Sequence, residues 1–248
     1  MPSNSFRVFN RYTFTEVNSL TEIFRERNAG RGPNTDYGLL HGGLILLVSG
    51  WETYCEDVSK EAVKKITEAE NLTFDDLSQK IRRQLIRHSY PPNIDKVDPL
   101  ETGLAKLPGE GWRGLFVEMI EEYLSDFNTP KFTKPQGKNL QKLFKLYLEG
   151  NVMTHVPSLT RTENITEEID RIISVRGDIA HRGKPLNEDR FYADDLICYL
   201  EHVRNACAAI DSIIWREFRT LYGITPWRMT QTIQRLLPGF NIVPEDLA

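Results

Sequence analysis

The stretch "DYGLLHGGLILLVSGWETYCEDVSKEAVKKITEAE", residues 36–70, decides the fold. Leu40, Leu44, Leu47, Trp51, Tyr54, Val58, Ala62 and Ile66 recur at steps of three and four, the spacing that stacks side chains on one face of an α-helix. The pattern predicts a single long helix from Asp36 to about Glu70, the spine on which shorter elements must pack. Within it, "HGGL" (41–44) places two glycines where neighbouring helices can come close.

A second stripe, Leu196, Leu200, Val203, Cys207, Ile210, Ile214 and Phe218, predicts a helix of similar length, capped by Asn187 and reaching Leu221. Shorter helices are expected at 15–29 (Val17, Leu20, Ile23, Phe24), at 75–88 (Leu77, Ile81, Leu85, Ile86) and at 112–127. "KNLQKLFKLYLEG" is a short helix stopped by Gly150. Asn164 followed by Glu167 reads as an N-cap and its reciprocal partner ahead of Ile165, Ile169 and Ile172. "ITPWRMTQTIQRLL" adds a last helix, and "SYPPNIDKVDPLETGLAKLPGEG", 89–111, with four prolines and three glycines, is an irregular excursion.

No strand-like alternation of useful length competes with these patterns. The expected class is all-α: a bundle built on two long antiparallel helices with shorter peripheral ones. Residues 1–35 form an N-terminal helix and connector, 36–222 the main helical domain with its loop insertion at 89–111, and 223–248 a C-terminal helix and tail.

Composition narrows the partners. Apolar residues make up 40% and charged residues 27% of 248, as in an ordinary folded protein. A net charge of −4 argues against coating nucleic acid with bulk positive charge. The longest apolar run, around "GGLILLVSGW", is shorter than the roughly 20 residues a bilayer span needs, and the N-terminus lacks a signal-peptide pattern. Cys55, Cys198 and Cys207 show no C-x-x-C spacing, so a reducing cytoplasm and no membrane partner are expected. His41, His88, His155 and His202 are scattered without zinc-ligand spacing, and nucleotide-binding and G-x-S-x-G runs are absent. Neither a metal nor an organic cofactor is expected.

Chemistry concentrates in "SVRGDIAHRGK", 174–184. Arg176 and His181 bracket "GDIA", in which Ile179 and Ala180 would anchor the segment. From Arg171 to Arg190 five basic residues stand against three acidic ones. Imidazole, with an ordinary pKa of about 6.5, both takes and gives a proton near neutrality. Guanidinium stays charged and grips phosphate through paired donors. Cleavage of RNA by its own 2′-hydroxyl needs these functions and no metal. It also needs a base and an acid, so two copies paired about a two-fold axis near His181 would complete the site. Spacing alone is also satisfied by a helix end whose cations favour the dipole.

"RGDIAHRG" resembles the signature of the HEPN superfamily of helical ribonucleases, an Arg, four to six residues, then a His. "LLVSGWETYCEDV" (46–58), "FNTPKFTKPQGKNLQKLF" (127–144) and "IDRIISVRGDIAHRG" (169–183) resemble, in the same order, segments of the HEPN branch called RiboL-PSP and MAE_28990-like. The similarity spans most of residues 39–220.

The resemblance implies an all-α, metal-independent endoribonuclease that acts as a homodimer, typically a toxin or antiviral defence effector with an antitoxin or defence-system partner. It places catalysis on Arg176 and His181. Asp178 would orient one of them, since Gly177 occupies the position after the Arg where the family often has a polar residue. Arg182 and Lys184 are candidate RNA contacts. Glu52, in the "WE" pair, is a candidate support beside the site. Gly183 stands where AMPylated relatives carry a Tyr, so that modification is not expected. The alternative is a catalytically silent helical module that binds RNA or a partner protein.

Overall fold

A computed structural model describes residues 2–29, 36–89, 107, 109–127, 131–132, 139–182 and 192–240. The chain enters through α1 (Asn4–Val8), a π-helical stretch (Phe9–Phe14) and α2 (Thr15–Asn28), which run back along α3 (Tyr37–Thr67). After a 3-10 turn (Phe74–Asp76) come α4 (Gln79–Ser89), α5 (Gly111–Ser125), α6 (Leu140–Phe144), α7 (Val152–Thr160) and α8 (Ile165–Arg182). α9 (Ala193–Tyr222) and α10 (Gln231–Leu236) close the order, and no strand occurs among the described residues. The all-α expectation holds.

α3 is unbroken, and all eight residues of its predicted stripe are at most 2% exposed. α9 buries its predicted stripe too, and from Ala206 to Trp215 every residue is buried. A helix surrounded on all sides in this way is the centre of a domain. Its end is set by Gly223, whose φ of +64° suits the left-handed conformation that closes a helix.

The two long helices run in the same direction, which corrects the antiparallel expectation. Gly43 faces Leu196, and eleven residues on, the Tyr54 hydroxyl donates to the Cys207 carbonyl at 2.7 Å. The antiparallel role falls to the entry arm. Thr13 lies on Gly50 and Ser5 on Glu61 of α3, while Asn10 meets Arg204 and Ser3 meets Asp211 of α9. A tight turn forces its two helices antiparallel, but here α4 to α8 intervene, so packing sets the direction.

Gly50 explains how the arm comes so close. A Cβ there would lie 2.3 Å from the Thr13 hydroxyl oxygen and 2.8 Å from its Cβ. The arm is also tied by two acids. Glu61 accepts from the Asn4 and Ser5 backbone N–H groups, and Asp211 accepts from Ser3 through both N–H (2.9 Å) and hydroxyl (2.8 Å). These bonds cap the first turn of α1 and bury Ser3.

Several boundaries differ from the sequence pattern. α9 begins at Ala193, where the Asp195 carboxylate takes the Tyr192 N–H; Asn187 lies outside the described residues, as does most of the 89–111 excursion. The expected helix over 224–237 is irregular until α10. α7 has no counterpart in the sequence reading, because Pro157 sits inside it. The Asn151 side chain caps α7 by accepting from the Met153 N–H at 3.1 Å. α6 is only the first turn of its predicted helix.

Candidate active site

α8 carries the whole of "RGDIAH" without a break. Gly177 is helical, and nothing would lie within 4 Å of a Cβ placed there, so it does not release the chain. Ile165, Ile169, Ile172, Ile173 and Ile179 face the core. Ile179 therefore anchors the motif as expected, whereas Ala180 is exposed and anchors nothing. The helix-end explanation of the cations fits only His181 and Arg182, which stand in the last turn.

Helical geometry divides the motif between two sides. Five residues at 3.6 per turn set Arg176 and His181 roughly 140° apart around the axis and about 7.5 Å apart along it. Arg176 follows Ile172 and Ile173 by one turn, and is half-buried. Its Nε is buried and has no hydrogen-bond partner among the described residues. Asp178 lies across the helix from Arg176 but one turn before His181, so of its two suggested tasks only support of the imidazole fits. No hydrogen bond joins Asp178 to His181 among the described residues. His181 is exposed, and the other four histidines are each partly covered.

Three of those four have ordinary settings. His41 stacks on Tyr37 with centroids 6.3 Å apart, and burial lowers its pKa. His88 lies 3.5 Å from Glu122, and His202 lies 4.0 Å from the Cys198 sulfur. No group of three or more metal-ligating side chains occurs among the described residues.

Glu52 reaches the neighbourhood of Arg176 from α3. Burial and Glu56 push its carboxyl pKa up, while the positive charge of Arg176 holds it down. Glu56 itself pairs with Lys60 at 3.7 Å, the i, i+4 pair the sequence suggested. Trp51, next to Glu52, is core, 1% exposed and stacked near Tyr54.

The three segments that carried the resemblance meet here. Trp51 packs on Phe132 with ring centroids 5.8 Å apart. The Phe132 N–H donates to the Asp170 carboxylate at 2.6 Å, and the Lys131 ammonium donates to the Ser174 hydroxyl at 2.7 Å. The described parts of three stretches far apart in sequence are thus joined, Trp51 to Phe132 and residues 131–132 to Asp170 and Ser174 on the turns of α8 before Arg176. Residues 11–216 match the family described as RiboL-PSP-HEPN. The chain belongs to the RiboL-PSP-HEPN family. No curated protein and no solved structure matches it.

Within this HEPN domain, Lys131 is a cation near the motif that sequence reasoning passed over. Its signal was its place in the second resembling segment. The Arg182 side chain and all of Lys184 lie outside the described residues. No helix among the described residues is long and apolar enough to cross a membrane.

Proposed function

We propose that this HEPN protein is a metal-independent endoribonuclease whose site is completed by a second copy of the chain. The observation that carries the reading is that the last two turns of α8 hold both a half-buried guanidinium, Arg176, and the one exposed histidine, His181. A guanidinium grips a phosphate through paired donors of matching charge, and an imidazole near it can move the proton.

In this mechanism one His181 removes the proton of a ribose 2′-hydroxyl. The 2′-oxygen attacks the adjacent phosphorus, and Arg176 stabilises the charge that gathers on the phosphoryl oxygens. The bond from phosphorus to the 5′-oxygen breaks, and the His181 of the sister copy protonates that oxygen. A 2′,3′-cyclic phosphate and a 5′-hydroxyl result. Exposed Ala180 beside His181 leaves little bulk between copies meeting about a two-fold axis. Asp178 supports the imidazole, and Glu52 positions Arg176. Lys131, Arg182 and Lys184 add phosphate contacts.

Single-stranded or loop RNA is the substrate class, because unstacked nucleotides can align the 2′-oxygen with the departing group. Its biological setting would be a toxin or antiviral defence effector held in check by a partner. The test is incubation of labelled RNA in EDTA with wild type and His181→Ala. Cleavage by wild type to cyclic-phosphate ends, lost in the variant, supports the reading. Intact RNA with both, or equal cutting, sinks it, and intact RNA bound tightly by both points to a silent module.

A further inference from the structure

Away from α8, the entry arm and the segment before α10 enclose an open groove of about 600 Å3. Its walls include Arg7, Val8, Arg11 and Tyr12 on the arm, Asn4 at its start and Thr230 opposite. Among the described residues no Asp or Glu lines it, in a chain with 35 acids and 31 Lys and Arg. The nearest arm-binding acid, Glu61, already accepts from Asn4 and Ser5 N–H groups. Neither Arg7 nor Arg11 forms an ion pair among the described residues.

The arm presents these side chains as two parallel rows. Arg7 and Arg11 are four residues apart, as are Val8 and Tyr12, one position round the helix. The backbone from Phe9 to Phe14 is π-helical, and its wider turn brings residues i and i+4 nearer to eclipse. Val8 is 38% and Tyr12 55% exposed, and the Arg11 guanidinium lies 5.5 Å from the centre of the Tyr12 ring. One row is cationic and the other offers apolar surface with an aromatic face.

We infer that this groove is a second RNA-binding site, which holds single-stranded RNA at a distance from the cut. A single strand carries phosphates along one edge and bases along the other, the complement of the two rows. An acidic peptide would satisfy the arginines but leave the exposed ring without a stacking partner. The inference rests on the ribonuclease reading for its choice of RNA. Thr13 packs on Gly50, two positions and roughly 200° around α3 from Glu52, so the groove lies on the far side of α3 from Arg176. It therefore serves long RNA and not the bond being cut.

The test uses the full chain with His181→Ala in EDTA for binding, and wild-type His181 for cleavage. Arg7→Ala/Arg11→Ala and, separately, Tyr12→Ala are compared on a labelled single-stranded 20-mer and a tetramer. The double variant should weaken 20-mer binding at least 10-fold and lower the salt slope of log affinity by about 1.4, at about 0.7 per phosphate contact. Tyr12→Ala should weaken it by about 5- to 100-fold. Tetramer kcat/KM should stay unchanged, which a folding defect would not allow.

Unchanged 20-mer affinity overturns the groove while leaving the nuclease intact. Arginine-dependent binding without any cleavage by wild type leaves the groove and removes the nuclease. A poly-glutamate peptide that binds the groove as tightly as the 20-mer replaces RNA by an acidic protein partner and overturns the inference.

Discussion

Asp211 offers the sharpest test of how the entry arm is held. It is fully buried on α9, and its carboxyl meets Ser3 N–H, Ser3 hydroxyl and, at 2.9 Å, the Tyr54 hydroxyl. The Tyr54 hydroxyl has one hydrogen but two acceptors, because the Cys207 carbonyl is 2.7 Å away. A protonated Asp211 resolves the conflict: it donates to the Tyr54 oxygen, Tyr54 donates to Cys207, and both Ser3 donors keep their acceptors. Burial is the main cause that raises the carboxyl pKa from 3.8 to about 7; it is opposed by the bonds that Ser3, and Tyr54 when it turns its hydrogen to the ionised carboxylate, donate, and aided by Glu61.

At 1.36 kcal/mol per pKa unit this difference is worth about 4 kcal/mol. The folded state binds the proton more tightly than the unfolded one, so stability falls as pH rises from about 4 through 7 and levels off above it. Against a typical total of 5–15 kcal/mol the loss is large. Asp211→Asn keeps the shape and cannot ionise, so it should be less stable than wild type or equal to it near pH 4 and more stable at pH 8. Urea unfolding of both proteins across this range gives the difference curve. A curve that does not tilt by some kilocalories, or tilts the other way, would refute the neutral carboxyl.

Further outcomes follow from the same geometry. Gly177→Ala and Gly42→Ala, whose added Cβ would meet nothing within 4 Å, should each raise stability by about 1 kcal/mol in chemical denaturation. Gly50→Ala, driven against Thr13, should instead cost about 1–3 kcal/mol, and a gain would show that the arm is not held at that crossing. His181→Ala should lower kcat on RNA by about 10²- to 10⁴-fold with little change in unfolding midpoint, as its side chain is exposed.

Periodicity alone determined the class and both long helices. A stripe such as Leu40 to Ile66 has one inexpensive fate, burial on a helix face, and the same holds for Leu196 to Phe218. The motif was legible as residues, Arg176 and His181 above all, because few side chains combine proton transfer with phosphate binding. Tertiary structure decided everything that depends on which faces meet. The direction of α9 along α3, the approach of Glu52 and Lys131 to α8, and the burial of Asp211 on Ser3 all join residues distant in sequence. One-dimensional spacing fixes which side of a helix is apolar but not which neighbour covers it. That choice comes from packing, through contacts such as Thr13 on Gly50 and Trp51 on Phe132.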